Sequence, residues 1–324
     1  MSPKMKTLER CARCGKCLTV CPSFWATRLE SCSPRGRVAQ LKEGFLDAAT
    51  VSNCLLCGAC EAVCPNEVPV FTHLLAVRRR YKAFYTPLLR KLLGFIRRQG
   101  PLRPSDTAGK TLLFLGCAET ILYPRAVEAF LEKIKALFFF EVVKGLCCGL
   151  PLAASGEEEA FLKIAKENLA LLGQAEKVLV FCASCLFTFK KIYPLYLPQE
   201  QLAIRDGFSY LLEQGFFRFK APSSLLFFQV PCHLRHLGLE PWWEGLKHYP
   251  GCCGQGGLFG FTHRQEARQI AFPLKKAFLT SGARFLATSC SACFFRLRTL
   301  FPRGSVTPLL AFLEPAEKQK NTGY

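Results

Sequence analysis

Two runs of four cysteines share one spacing, C-x2-C-x2-C-x3-C, and each is followed by proline: Cys11, Cys14, Cys17 and Cys21 before Pro22, then Cys54, Cys57, Cys60 and Cys64 before Pro65. Three thiolates two residues apart wrap three corners of a small cube within one tight turn. The fourth corner faces away and takes its ligand from elsewhere, which in two-cluster ferredoxins is the other run. One 4Fe-4S cluster is therefore expected on Cys11, Cys14, Cys17 and Cys64, and a second on Cys54, Cys57, Cys60 and Cys21. Gly15 and Gly58 stand where the backbone must pass close to the inorganic core. Each proline fixes φ and removes one backbone donor, while the remaining donors can point at sulfur and tune its potential. Zinc, whose ligands usually come as two pairs, explains neither the third cysteine nor the repeated C-P ending. Cys32, between the runs, reads as a supporting or inert thiol.

The chain has 324 residues and 19 cysteines. An odd count, C-x2-C packing and a start, MSPKMKTLERC, with no apolar run behind its basic residues all argue against a secreted disulfide scaffold. A reducing, cytoplasmic setting is expected, with peripheral contact on the inner face of a membrane as an option. Half of the residues are apolar, including 29 Phe, which suits a chain that folds over most of its length. No segment reaches the roughly 18 apolar residues of a membrane span. The net charge of +19 is partly offset if each cluster with its four thiolates carries about −2. No helix-turn-helix, zinc-finger or aromatic ribonucleoprotein pattern accompanies the charge, so nucleic acid is not expected as a partner.

Four segments are expected: a helical ferredoxin-type domain at 1–82, a basic amphipathic helix and linker at 83–110, and two similar α/β units at 111–222 and 223–324. In the second segment Phe84, Leu88, Leu89, Leu92, Leu93 and Ile96 form an apolar stripe against Arg90, Lys91, Arg97 and Arg98. Such a helix packs on a neighbouring domain or subunit, or lies on an anionic membrane.

From Thr111 the chain repeats itself. TLLFLGC ends at Cys117, GLCCG supplies Cys147, Cys148 and Gly149, and KVLVFCASC supplies Cys182 and Cys185. LLFFQVPC then ends at Cys232, YPGCCG supplies Cys252, Cys253 and Gly254, and ARFLATSCSAC supplies Cys290 and Cys293. Ser155 with Glu158, and Thr262 with Gln265, are expected to form capping boxes opening the long helix of each unit. Each helix should feed a short strand that delivers a C-x2-C at its carboxyl end, where α/β sheets usually carry their chemistry.

Each unit thus offers five thiols, one more than structural zinc or an ordinary cubane takes, so one thiol is spare or the centre is unusual. One or two further iron-sulfur clusters, or zinc, are expected on these ten cysteines. A C-x2-C pair working by disulfide exchange without metal is the other option. His233 and His236 are candidates for ligation or for hydrogen bonding to a ligand. Gly256 and Gly257 are read with Gly254 as loop residues of the twin-cysteine turn.

These residues resemble the iron-sulfur subunits of flavin-dependent 2-hydroxy-acid oxidoreductases, above all the glycolate oxidase type. The resemblance lies in CARCGKCLTVCP, SPRGR at Ser33 to Arg37, CLLCGACEAVCP and Arg78 to Arg80. The two later units resemble the cysteine-rich CCG domains shared with anaerobic glycerol-3-phosphate dehydrogenase C subunits and heterodisulfide reductases. The resemblance implies a subunit that relays electrons from an FAD-containing oxidase partner to a quinone or other acceptor. The complete five-cysteine sets, with Cys182 and Cys290 present, are more typical of the glycerol-3-phosphate and heterodisulfide branches, and a thiol/disulfide reductase subunit is the alternative reading. With no G-x-G-x-x-G or Walker loop in the chain, the organic chemistry is expected on a partner. Arg35 and Arg37 are candidates for organising their loop or for meeting an acidic partner.

Overall fold

The structure, a computed structural model, describes residues 5–81, 107–220, 224–239 and 241–316. The expected basic helix at 83–110 lies almost wholly outside them.

The N-terminal domain is a set of short helical pieces, Pro22–Thr27, Pro34–Glu43, Ala48–Ser52, Ala59–Ala62 and Val70–Arg78, wrapped around the two cysteine runs. Residues of SPRGR hold it together. Ser33 caps the helix Pro34–Glu43 by accepting from the Gly36 N–H at 2.9 Å, and Pro34 takes the first helical position, where its missing N–H costs nothing. A Cβ on Gly36 would stand 2.0 Å from the Glu30 carbonyl oxygen, so only glycine lets the two stretches of chain approach. Arg37 is 1% exposed and donates to the Asn53 carbonyl (2.9 Å) and Ser23 Oγ (3.1 Å), joining the helix to the chain entering the second cysteine run.

Two parallel sheets follow. The first contains β1 (Thr111–Leu115), β2 (Glu141–Lys144), β3 (Lys177–Val180) and β4 (Ile204–Asp206) in the order β2-β1-β3-β4. After β5 (Phe217–Phe219), the second contains β6 (Leu226–Gln229), β7 (Lys247–Tyr249), β8 (Phe285–Thr288) and β9 (Val306–Pro308) in the matching order β7-β6-β8-β9. Leu112 pairs with Glu141 and Val178, and Phe227 with Lys247 and Leu286. The central strands are buried almost end to end, as strands covered on both faces must be.

The two units share one core. Trp242 stacks on Phe208 at 5.4 Å and Phe219 at 6.2 Å, and meets Phe228 at 5.4 Å, so aromatic rings of both units close on it. β10 (Leu313–Pro315) leaves the second unit and pairs antiparallel with β5 at the end of the first, with Leu313 opposite Phe219. Lys133 Nζ donates to the Leu313 carbonyl at 2.9 Å, fixing that strand to the first unit.

The expected capping boxes do not form. The long helices run Glu158–Leu172 and Arg264–Thr280 and have no side-chain cap. Ser155 Oγ turns back to the Leu152 carbonyl (3.0 Å), and the Thr262 hydroxyl is engaged by Leu258, Phe259 and His263, a local competition to which these residues are prone.

Candidate metal centres

The two N-terminal runs have the same backbone. Arg13 (φ 53°) and Gly15 (φ 80°) flank Cys14 in the left-handed region, as Leu56 (φ 52°) and Gly58 (φ 77°) flank Cys57. Two left-handed residues around a cysteine curl each turn about a small volume. One cavity of about 30 Å³ is lined by Cys11, Cys14, Cys17 and Cys64, with Cys60 also at its wall. A second, of about 20 Å³, is lined by Cys21, Cys54, Cys57 and Cys60. Each run thus sends its fourth cysteine to the other run's cavity. Backbone donors remain at the sulfurs: Leu56 N–H reaches Cys54 Sγ and Val68 N–H reaches Cys64 Sγ, both at 3.4 Å. Arg35 is held by Glu30 at 2.6 Å and reaches the Arg13 carbonyl at 3.5 Å, so it organises the first turn. Cys32 is buried, its carbonyl accepting from Ser23 Oγ at 3.2 Å, and it lines neither cavity.

All ten later cysteines line a single cavity of about 130 Å³ between the two α/β units. Each sheet brings its five to the carboxyl ends of three strands. Cys117 and Cys232 follow β1 and β6, the twin cysteines follow β2 and β7, and the C-x2-C pairs follow β3 and β8. The twin-cysteine turns need their glycines: Gly149 has φ 85° and Gly254 φ 78°, and a Cβ on Gly254 would lie 2.4 Å from the Ala267 carbonyl oxygen. Their N–H groups donate to Cys147 Sγ (3.3 Å) and Cys252 Sγ (3.4 Å). Gly256 and Gly257 line the same cavity, and Gly256 packs against Leu55 of the second cysteine run.

The sulfurs form a chain of neighbours rather than two separate sets. All ten are free thiols: Cys147 neighbours Cys117 and Cys148, Cys185 neighbours Cys148 and Cys182, Cys182 meets Cys290 across the interface, and Cys293 neighbours Cys290 and Cys253. Cys232 and Cys252 form a further neighbouring pair. The cavity has room for many times the roughly 10–15 Å³ that a single water-sized sphere occupies. Among the described residues no His, Cys, Asp or Glu group is arranged to hold one metal ion. The donor set, soft thiolates spread around a volume, fits an inorganic core with several metal atoms.

Cys57 lines both this cavity and the second cluster cavity, so the two are adjacent. His233 bridges the same boundary. Its Nε2 lies 3.2 Å from the Leu56 carbonyl, its Nδ1 3.1 Å from Ser184 Oγ, and its ring stacks on Phe187 at 4.4 Å. Burial pushes its pKa down, favouring the neutral ring. His236 is half-buried beside Arg235 and does not line the cavity. Sequence reasoning missed Glu119 and Tyr123. Glu119 is buried and accepts from the Gly116 N–H at 2.8 Å; burial, then the Cys182 sulfur, holds its carboxyl well above the usual range. Its place two residues after Cys117, in a helical turn, was the available signal.

The 4Fe-4S dicluster domain family matches residues 7–68, and the CCG cysteine-rich domain family matches 111–190 and 244–298. The chain is a 4Fe-4S dicluster domain followed by two CCG domains. The second match starts after Cys232, yet β6 and Cys232 occupy the places of β1 and Cys117, so the structural repeat extends beyond it. The chain is 26% identical over 179 residues to the C subunit of the anaerobic glycerol-3-phosphate dehydrogenase of Escherichia coli K12, covering 48% of this chain and 45% of that one. It is 28% identical over 173 residues to the D subunit of the dihydromethanophenazine:CoB–CoM heterodisulfide reductase of Methanosarcina acetivorans, covering 45% and 42%. It is 28% identical over 181 residues to the B subunit of the CoM/CoB fumarate reductase of Methanothermobacter marburgensis, covering 51% and 36%. The chain spans about half the length, or less, of these curated relatives. It is related over that span to subunits of several reductase and dehydrogenase complexes. Among the described residues no helix is long and apolar enough to cross a membrane.

Proposed function

We propose that the chain is the electron-transfer subunit of a reductase or dehydrogenase complex, in which two cubanes of the dicluster domain exchange electrons with an iron-sulfur centre held between the CCG domains. The observation that carries this is the position of Cys57 in the walls of both the second cluster cavity and the ten-cysteine cavity. Bound clusters would supply one-electron steps at potentials set by their ligands and hydrogen bonds. Cys11, Cys14, Cys17 and Cys64 would hold one cubane, Cys54, Cys57, Cys60 and Cys21 the other, and the ten CCG cysteines the third site. The dicluster residues would orient the cubanes through the backbone donors described above, and the CCG units bury Cys147, Cys148, Cys182, Cys185, Cys253, Cys290 and Cys293 away from bulk water.

The relatives' names favour a glycerol-3-phosphate-dehydrogenase-like or heterodisulfide-reductase-like complex over a glycolate- or lactate-oxidising one. SPRGR, which pointed toward the hydroxy-acid side, is engaged in capping and tying the dicluster domain, so it carries no substrate information. An FAD-containing partner and a quinone or other acceptor complete the proposed complex, in a reducing, cytoplasmic setting.

The test is metal and acid-labile sulfide content with electron paramagnetic resonance on the anaerobically purified chain. Iron and sulfide in excess of two cubanes, with a third signal lost on replacing Cys148 and Cys253 by Ser, is the expected result. Iron matching two cubanes alone, or zinc in the excess, would overturn the third site. A disulfide-reducing role is favoured by Cys117, Cys232 and Cys252, which are only half-buried and leave thiols of the cavity reachable. Viologen-driven reduction of a disulfide by the purified chain checks it, and no turnover removes it.

A further inference from the structure

The two C-x2-C segments, Cys182-Ala183-Ser184-Cys185 and Cys290-Ser291-Ala292-Cys293, carry their serines at different positions. A strict repeat would put both at the same place. The structure gives the difference a geometric meaning. The segments face each other across the unit interface, with the Ala183 N–H donating to the Ser289 carbonyl at 2.9 Å. From the first unit, Ser184 Oγ lies 3.0 Å from Cys290 Sγ of the second. From the second, Ser291 Oγ donates to Cys182 Sγ of the first at 3.4 Å, and the Ser291 N–H approaches the same sulfur at 3.5 Å. Both serines are buried, and the Ser291 hydroxyl is held from behind by Tyr123 Oη at 2.9 Å.

We propose that Ser184 and Ser291 are reciprocal positioning residues, each unit's serine hydrogen-bonding a cysteine sulfur of the other unit and so tying the redox potential of the CCG centre to the interface between the two domains. The inference rests on the reading that the CCG cysteines hold an iron-sulfur centre. A ligating cysteine is a thiolate with no proton of its own, so the serine hydroxyl must donate. A donor to sulfur stabilises the more negative, reduced state and raises the potential. The two serines do this unequally. Ser291 Oγ and Tyr123 Oη share one hydrogen bond in which either can donate; with Tyr123 as the donor, Ser291 keeps its own proton for Cys182. Ser184 has two acceptors, because the Leu56 carbonyl requires a proton on His233 Nε2 and leaves Nδ1 with a lone pair. Its proton is divided between His233 and Cys290, so Ser184 touches both the other unit's sulfur and the side chain that reaches the Leu56 carbonyl of the second cysteine run. A shift of one CCG domain against the other would break both bonds together.

The experiment is redox titration, followed by electron paramagnetic resonance, of the anaerobically purified full chain and of Ser184→Ala, Ser291→Ala and the double variant, with Ser→Thr and Ser→Val at each position. Wild-type protein without iron beyond two cubanes defeats the underlying reading before any variant is compared. With that iron present, the Ala and Val variants are expected to lower the midpoint of the CCG centre, the Thr variants to retain it, and the first cubane to stay unchanged in all. Midpoints equal to wild type in the iron-replete Ala variants would overturn the proposal. Loss of CCG iron in Ala and Val but not in Thr supports the hydroxyl's role. Loss in all three makes the positions packing sites only and overturns it.

Discussion

Arg78, the last residue of the helix Val70–Arg78, donates through Nη1 to the Ala154 carbonyl of the first CCG domain at 2.6 Å. Its Nη2 donates to the Val51 carbonyl at 3.1 Å and to the Cys54 carbonyl. One buried guanidinium thus joins the dicluster domain, the entrance to its second cysteine run and the CCG domain. Gly156 tightens the same joint: it has φ 83°, and a Cβ there would stand 2.2 Å from the Arg78 carbonyl oxygen. Arg78→Leu removes the donor from the Ala154 and Cys54 carbonyls, each costing about 1–3 kcal/mol, while the Val51 carbonyl keeps the Cys54 N–H. A loss of about 3 kcal/mol in all is expected, read as a lower denaturant midpoint and faster bleaching of cluster absorbance on warming. Bleaching at the wild-type rate would show that the joint is held elsewhere.

His233→Phe keeps a ring to stack on Phe187 and removes the bonds to Leu56 and Ser184. Two buried hydrogen bonds are lost, so the variant should be less stable by about 1–3 kcal/mol while both cubanes keep their spectra. If His233 couples the second cubane to the CCG cavity, rapid-freeze kinetics should show slower electron transfer between them. An unchanged rate would leave Cys57 as the sufficient contact.

The exchange of fourth cysteines between the two cavities gives a test that a run-by-run reading of the sequence would predict wrongly. Cys21 belongs to the first run but lines the second cavity, with Ser23 Oγ 3.3 Å from its sulfur. Cys21→Ser should therefore disturb the second cubane and spare the first, with iron loss of at most one cluster. Loss of the first cubane's signal instead would reverse the assignment.

What the sequence showed and what it withheld separate along contact distance. The cubane runs, the twin-cysteine turns and the strand ends delivering C-x2-C are local, set by spacing within a few residues, and could be read directly. The merger of two five-cysteine sets into one cavity depends on Trp242 between Phe208 and Phe228 and on β10 crossing to β5, pairings over long stretches of chain that no local pattern encodes. SPRGR was legible as a motif but not as a joint, because the burial of Arg37 against Asn53 and Ser23 is tertiary. The capping boxes failed for a local reason that spacing alone cannot reveal: Ser155 closes the preceding short helix Leu150–Ala154, and the long helix begins only after Glu157.

Asp206 carries a pH dependence away from the cysteines. It caps the helix Gly207–Glu213 by accepting from the Ser209 N–H at 2.7 Å, yet it is buried, and burial pushes its pKa up from 3.8 to about 7 against the opposing pull of the Ser209 and Phe208 N–H groups and Lys190. A raised carboxyl favours the protonated folded state. Its contribution is therefore fully present below about pH 4, declines as pH rises through the interval in which the unfolded chain ionises first, and is gone above about pH 7. Roughly three pH units at about 1.4 kcal/mol each set the span on the order of 4 kcal/mol. Asp206→Asn keeps the cap, since Asn is as good an N-cap residue, and has nothing to ionise. The Asn variant should match the wild type near pH 4 and exceed it in melting temperature near pH 8. Parallel melting-temperature curves for the two proteins across that interval would show that Asp206 stays ionised in the fold, its cap bond and Lys190 outweighing its burial.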